Sequence, residues 1–118
     1  MYSKELLDHF EHPRNVGEIP DADARVEAEN PACGDVMLLT LKVSDGRIVE
    51  ARYRTRGCVA SIACGSFLTE WLHGRALTEA RALRREQIVE GVGGLANESM
   101  HASHLAADAL RAVLAKVS

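Results

Sequence analysis

Cys33 and Asp35 stand on either side of Gly34 in the stretch NPACGDVM, residues 30–37. A thiolate and a carboxylate two positions apart can share one metal ion. The same pair can equally be a buried thiol beside a solvated acid. Cys58 falls where a strand pattern gives way to a helical one, and the positive end of a helix dipole favours thiolate there. Cys33 lies at a loop-to-strand boundary, where functional side chains are commonly displayed. If the sheet brings the two loops together, two thiols and a carboxylate converge. If it does not, each cysteine is an isolated small apolar residue.

His101 and His104 are one helical turn apart. Both imidazoles would share a face, where they could chelate or could simply end a partly exposed helix. Cys64 has a different setting. It shares a helical stripe with Phe67 and Trp71, which predicts a core thiol behaving as a small hydrophobe. His9, His12 and His73 fall at helix ends and are expected to be solvated. ARYRTR, residues 51–56, reads as the wet face of a strand that could also receive an acidic partner.

These residues need elements to hold them. Leu6, Leu7 and Phe10 are helically spaced behind Ser3, a capping residue, and Pro13 ends that helix. Residues 13–23 read as loop. Val26 and Ala28 alternate with charges and predict a short edge strand. Residues 35–43 predict a firmer strand, with Leu39, Leu41 and Val43 on one face. Asp45-Gly46 is a hairpin-turn pair. Residues 48–56 return as the partner strand, with Val49, Ala51 and Tyr53 facing one way and Glu50, Arg52 and Arg54 the other. One sheet face should then be wet, with helices on the opposite side. Past Cys58 the period becomes helical: Ala60, Ser61, Cys64, Phe67, Leu68, Trp71 and Leu72 form a stripe closed by Gly74. Two short helical pieces follow over residues 77–94. Residues 98–116 make a last amphipathic helix, with Leu105, Ala109 and Val113 inward and Ala102 on the inner side of its first turn. Strands followed by a run of helices predict an α+β domain. No repeat or linker divides residues 1–118, so a single domain is expected.

Composition bounds the function. The chain has 118 residues, 47% hydrophobic but only 4% aromatic, so its core is built mostly from Leu, Val, Ile and Ala. A formal net charge of -3 argues against general nucleic-acid binding, which needs a basic surface. No apolar run approaches the roughly 18–20 residues of a membrane span. The N-terminal stretch is charged and amphipathic, unlike a signal peptide. Three cysteines, an odd number, do not suggest a disulfide framework. A reducing cytoplasm is the expected location, where thiols are free for metal or redox chemistry.

Five segments occur together in a family order: HPRNVG (12–17), ACGDVM (32–37), TRGCVASIA (55–63), LTEWLHG (68–74) and MHASHLAADAL (100–110). Over nearly its whole length the chain resembles a NifU/IscU-type iron–sulfur cluster assembly scaffold. The resemblance implies a three-stranded antiparallel sheet with helices packed on one face, an N-terminal helix and a long C-terminal helix. It implies a metal site formed by Cys33, Asp35, Cys58 and His101. It also implies iron or a labile [2Fe–2S] cluster as cargo, a cysteine desulfurase as sulfur source, and apo iron–sulfur proteins as recipients. Two thiolates, a carboxylate and an imidazole also suit zinc, the metal expected on the isolated protein.

The chain departs from the family pattern at three places. Where the family has a His-Cys pair, this sequence has His101-Ala102, and a methyl group binds neither metal nor sulfur. Where the family has a Leu-Pro-Pro-Val-Lys chaperone-docking segment, residues 95–99 read LANES, which argues against docking to the specialised Hsp70. The zinc-dependent SufU branch usually carries an insertion between the equivalents of Cys58 and His101, and none is present here. Cys64 lies about one and a half helical turns past Cys58; its stripe points away from the loops, so replacing the missing thiol would require rotating the helix.

Three functions follow. The first is a non-enzymatic scaffold, in which mixed ligands with a hard carboxylate ease cluster release. The second is a SufU-like sulfurtransferase, with a zinc-bound thiolate accepting sulfur. The third is a divergent zinc-binding relative without scaffold activity.

Overall fold

The computed structural model describes residues 2–117. Helix α1, Lys4–Glu11, starts at Ser3, whose hydroxyl oxygen accepts the Leu6 N–H at 2.9 Å. The same hydroxyl donates to the Val92 carbonyl, tying the first helix to the end of the fourth. Three strands follow: β1 Ala24–Glu29, β2 Val36–Ser44 and β3 Arg47–Arg56. They form one antiparallel sheet in the order β1-β2-β3. The β2–β3 hairpin turns on Asp45 and Gly46, both at positive φ (52° and 75°), as a tight two-residue turn requires.

The helical part comprises α2 Val59–Leu72, α3 Leu77–Ala82, α4 Arg85–Gly91, a 3₁₀ turn Asn97–Ser99 and α5 His101–Leu114. Helix α2 packs on β3 and α1, and α5 packs across β1 and β2. The core between sheet and helices holds Met37, Leu39, Leu41, Ala51 and Tyr53 from the strands. Ala60, Cys64, Leu68, Leu105, Ala109 and Val113 face them. The expected stripe on α2 is wider than its spacing suggested. Ala63, Gly65, Ser66 and Thr69 are buried too, because α1 covers the helix from a second side, whereas Phe67 and Trp71 are only partly buried. On the sheet side Gly65 lets α2 approach β3, since a Cβ there would lie 2.4 Å from the Tyr53 ring.

Two sheet expectations need correction. Val49 points to solvent, 55% exposed, and Ile48 takes the core position. The register shifts at Lys42/Val43: Lys42 pairs with Glu50 and Val43 with Ile48, leaving Val49 as the extra residue of a bulge that reverses the inward phase. The outer sheet face is also not wet throughout. Ile19, in the loop that crosses this face from the edge of β3 to β1, donates its N–H to Thr40 Oγ1 at 3.2 Å, and both residues are buried.

Candidate metal centre

The β2–β3 register determines where the site forms. Val36 pairs with Arg56, so Asp35 and Gly57, one step beyond each, lie side by side. A Cβ on Gly57 would come within 2.4 Å of Asp35 Cγ, so only glycine leaves room for the carboxylate. Upstream of Asp35 the chain folds into a tight turn. The Asn30 carbonyl accepts the N–H of Cys33 (3.3 Å) and Gly34 (2.7 Å), and Asn30 Oδ1 accepts the Ala32 N–H at 3.0 Å. Gly34, at φ +75°, then redirects the backbone so that Asn30 N–H reaches the Asp35 carbonyl at 2.9 Å. This turn holds Cys33 exposed at the loop tip and Asp35 buried, 7% accessible, at its base.

Cys58 is the N-cap of α2 but does not cap it with its own side chain. Asp35, one residue before β2, lies against this helix end: its Oδ2 accepts the Cys58 N–H at 3.4 Å and the Ser61 hydroxyl at 2.6 Å. A carboxylate at a helix N-terminus is stabilised by the dipole and by the unpaired amides there. His101 opens α5, whose start is secured when Ser103 donates its N–H (3.1 Å) and hydroxyl (2.7 Å) to the Met100 carbonyl. From that position His101 Nε2 lies 3.4 Å from Cys58 Sγ and 3.4 Å from Asp35 Oδ2. Cys33, Asp35 and His101 also each offer a ligand atom within 4.8 Å of the other two.

Burial alone would raise the Asp35 carboxyl. The hydrogen bond from Ser61, the contacts to Cys58 and the neighbouring His101 overcome that cost and hold it below the usual carboxylate value. Asp35 is therefore an anion at neutral pH. Among the described residues no Lys or Arg forms an ion pair with it. The two 3.4 Å contacts of His101 Nε2 suit a shared metal, since tetrahedral ligands about 2.0–2.3 Å from one ion lie about 3.3–3.8 Å from each other.

Of the four residues singled out from the sequence, Cys33, Asp35 and His101 form one cluster, and Cys58 stands beside it through its contact with His101. His104 does not join them; it is exposed one turn along α5. Cys64 is fully buried in the core, and burial pushes its thiol up to about 12. Ala102 is also fully buried, set deeper than an open helix end. His12 and His73 are exposed, although His73 Nε2 accepts the Ala51 N–H at 2.9 Å on the edge of β3. His9 is not solvated. It is 7% accessible, because α1 docks on α2 and its Nδ1 meets the Ser66 hydroxyl at 2.7 Å. Sequence reasoning missed Ser61, whose oxygen also lies 3.5 Å from Cys58 Sγ. The available signal was its place three residues into a helix that begins at Cys58; its apolar neighbours suggested packing instead.

Residues 1–118 match the NifU-like N terminal domain family. The chain is 48% identical over 111 residues to the iron–sulfur cluster assembly scaffold protein IscU 1 of Archaeoglobus fulgidus, covering 94% of this chain and 72% of that protein. It is 44% identical over 118 residues to the IscU scaffold protein of Escherichia coli, covering 97% and 91%. Among solved structures, a NifU-like protein (N-terminal) from Brucella abortus superposes with a TM-score of 0.80 at 18% identity, covering 98% of this chain and 92% of that one. A SUF-system scaffold from Fervidobacterium islandicum gives the same TM-score at 19% identity, with 96% of each chain covered. These two likenesses concern the fold, which they match in its three-stranded antiparallel sheet and C-terminal helix.

Proposed function

The chain belongs to the NifU-like N-terminal domain family, and on that premise we propose that it is an iron–sulfur cluster assembly scaffold whose cargo is held between Cys33, Asp35, Cys58 and His101. The observation that carries this reading is the placement of His101 Nε2, 3.4 Å from both the Cys58 thiol and the Asp35 carboxylate. Soft thiolates favour iron–sulfur cargo, and the carboxylate and imidazole make its hold looser than four thiolates would. The exposed Cys33 loop gives cargo a way in and out, while the buried Asp35 and half-buried His101 keep fixed positions. Without iron the same donors take one zinc ion per chain.

The chain works in a reducing cytoplasm, receives sulfur from a cysteine desulfurase and hands clusters to apo iron–sulfur proteins. No helix among the described residues is long and apolar enough to cross a membrane. Ala102 supplies no thiol, so incoming sulfur lands on Cys33 or Cys58. Residues 95–99 lack the prolines and lysine of the family's chaperone segment, which argues against docking to the specialised Hsp70.

The test is anaerobic loading with ferrous iron and sulfide, followed by incubation with an apo iron–sulfur protein. Visible charge-transfer absorption that appears on this chain and then moves to the acceptor supports the scaffold. Retention of zinc alone, with no acid-labile sulfide under any loading condition, overturns it.

A further inference from the structure

We infer that Ser61 is a positioning residue of the metal centre, acting through Asp35. The inference rests on the site assignment proposed above. Asp35 comes from the sheet, whereas Cys58 starts α2, and the donors can share an ion only if the carboxylate is held against that helix. Three features hold it there. Gly57 leaves the space, the Cys58 N–H reaches Oδ2 at a long 3.4 Å, and the Ser61 hydroxyl reaches the same oxygen at 2.6 Å. The hydroxyl contact is the short one, and Ser61 is fully buried, so no solvent competes for it. Because α2 brings Cys58 and Ser61 as one rigid unit, the contact also fixes the carboxylate relative to the Cys58 thiol, 3.5 Å from the same hydroxyl oxygen. Hydrogen-bond partners of metal-binding carboxylates commonly govern affinity in this way.

The experiment is a double-mutant cycle read by zinc affinity, measured by competition with a chromophoric chelator, with cobalt(II) absorption reporting ligand geometry. Ser61→Ala should weaken zinc binding about 10-fold or more and alter the cobalt(II) spectrum, with the thermal unfolding midpoint as a control on the fold. In an Asp35→Ala background the same substitution should change neither readout. Unchanged zinc affinity in Ser61→Ala overturns the inference. So does an equal loss in both backgrounds, which would mean that Ser61 acts through Cys58 or through packing. Failure of the underlying site assignment has a different signature: Cys33→Ser and Cys58→Ser would bind zinc as tightly as the parent.

Discussion

Two polar clusters lean on helix α2, one at its N-terminus around His101 and one near its middle around His9. Both contain an imidazole, a serine and at least one carboxylate. At His9 the cluster is already closed by a cation. Arg14 only donates, so its Nη1 contact at 3.1 Å makes His9 Nδ1 an acceptor, and the Ser66 hydroxyl donates to the same nitrogen. Arg14 also pairs with Asp8 at 2.7 Å and Glu70 at 3.5 Å. Burial first, and then the Arg14 charge, lower the His9 pKa, outweighing the pull of Glu70. At His101 the anion Asp35 and two thiols converge, and among the described residues no fixed cation forms an ion pair with Asp35. Similar side chains therefore make a structural joint where a guanidinium supplies the positive charge, and the proposed metal centre where none does.

That contrast can be broken at either end. The largest effect should come from the thiols. Cys33→Ser or Cys58→Ser should abolish tight zinc binding and cluster loading, exceeding the roughly 10–100-fold cost of losing a supporting residue. Cys64→Ser and His9→Ala should leave both intact, as checked by chelator competition. His9→Ala should instead destabilise the fold by about 1–3 kcal/mol in urea melts, since Ser66 and Arg14 lose a buried partner.

Legibility from sequence followed the same division. Residue types and boundary positions left the convergence of Cys33, Asp35 and Cys58 open and paired His101 with His104; only the family resemblance grouped Cys33, Asp35, Cys58 and His101. Strand identity was readable from alternation and from Asp45-Gly46. The inward phase of β3 was not, because a bulge at Val49 leaves no mark in the hydrophobic pattern. The burial of His9 depended on α1 docking against Ser66, which lies 57 residues away along the chain. Ser61 looked like one more member of an apolar stripe, because its hydroxyl meets a carboxylate 26 residues earlier in the chain, just before β2.

Iodoacetamide at about pH 8 should label exposed Cys33 and spare Cys64 until the protein unfolds, since only the thiolate reacts and burial holds the Cys64 thiol protonated. The His9 end should show a pH signature. Its folded-state pKa lies below the ordinary imidazole value of 6.5, so the unfolded chain takes up the proton first. Stability present above that value is lost as pH falls through it toward the folded-state pKa. The urea midpoint should drop between about pH 7 and about pH 5.5 by a larger margin in the parent than in His9→Gln. Ala102→Cys should raise the yield and lifetime of a reconstituted [2Fe–2S] cluster. Because Ala102 is fully buried, it should also cost about 1–3 kcal/mol of stability from overpacking.

The central claim is that two thiolates, one carboxylate and one imidazole share an ion. X-ray absorption at the zinc edge of the zinc-loaded protein tests it most directly. The predicted result is two sulfur ligands at about 2.3 Å and two nitrogen or oxygen ligands at about 2.0–2.1 Å. Three sulfur ligands would place Cys64 in the site and contradict the assignment, and fewer than two would remove Cys33 or Cys58 from it.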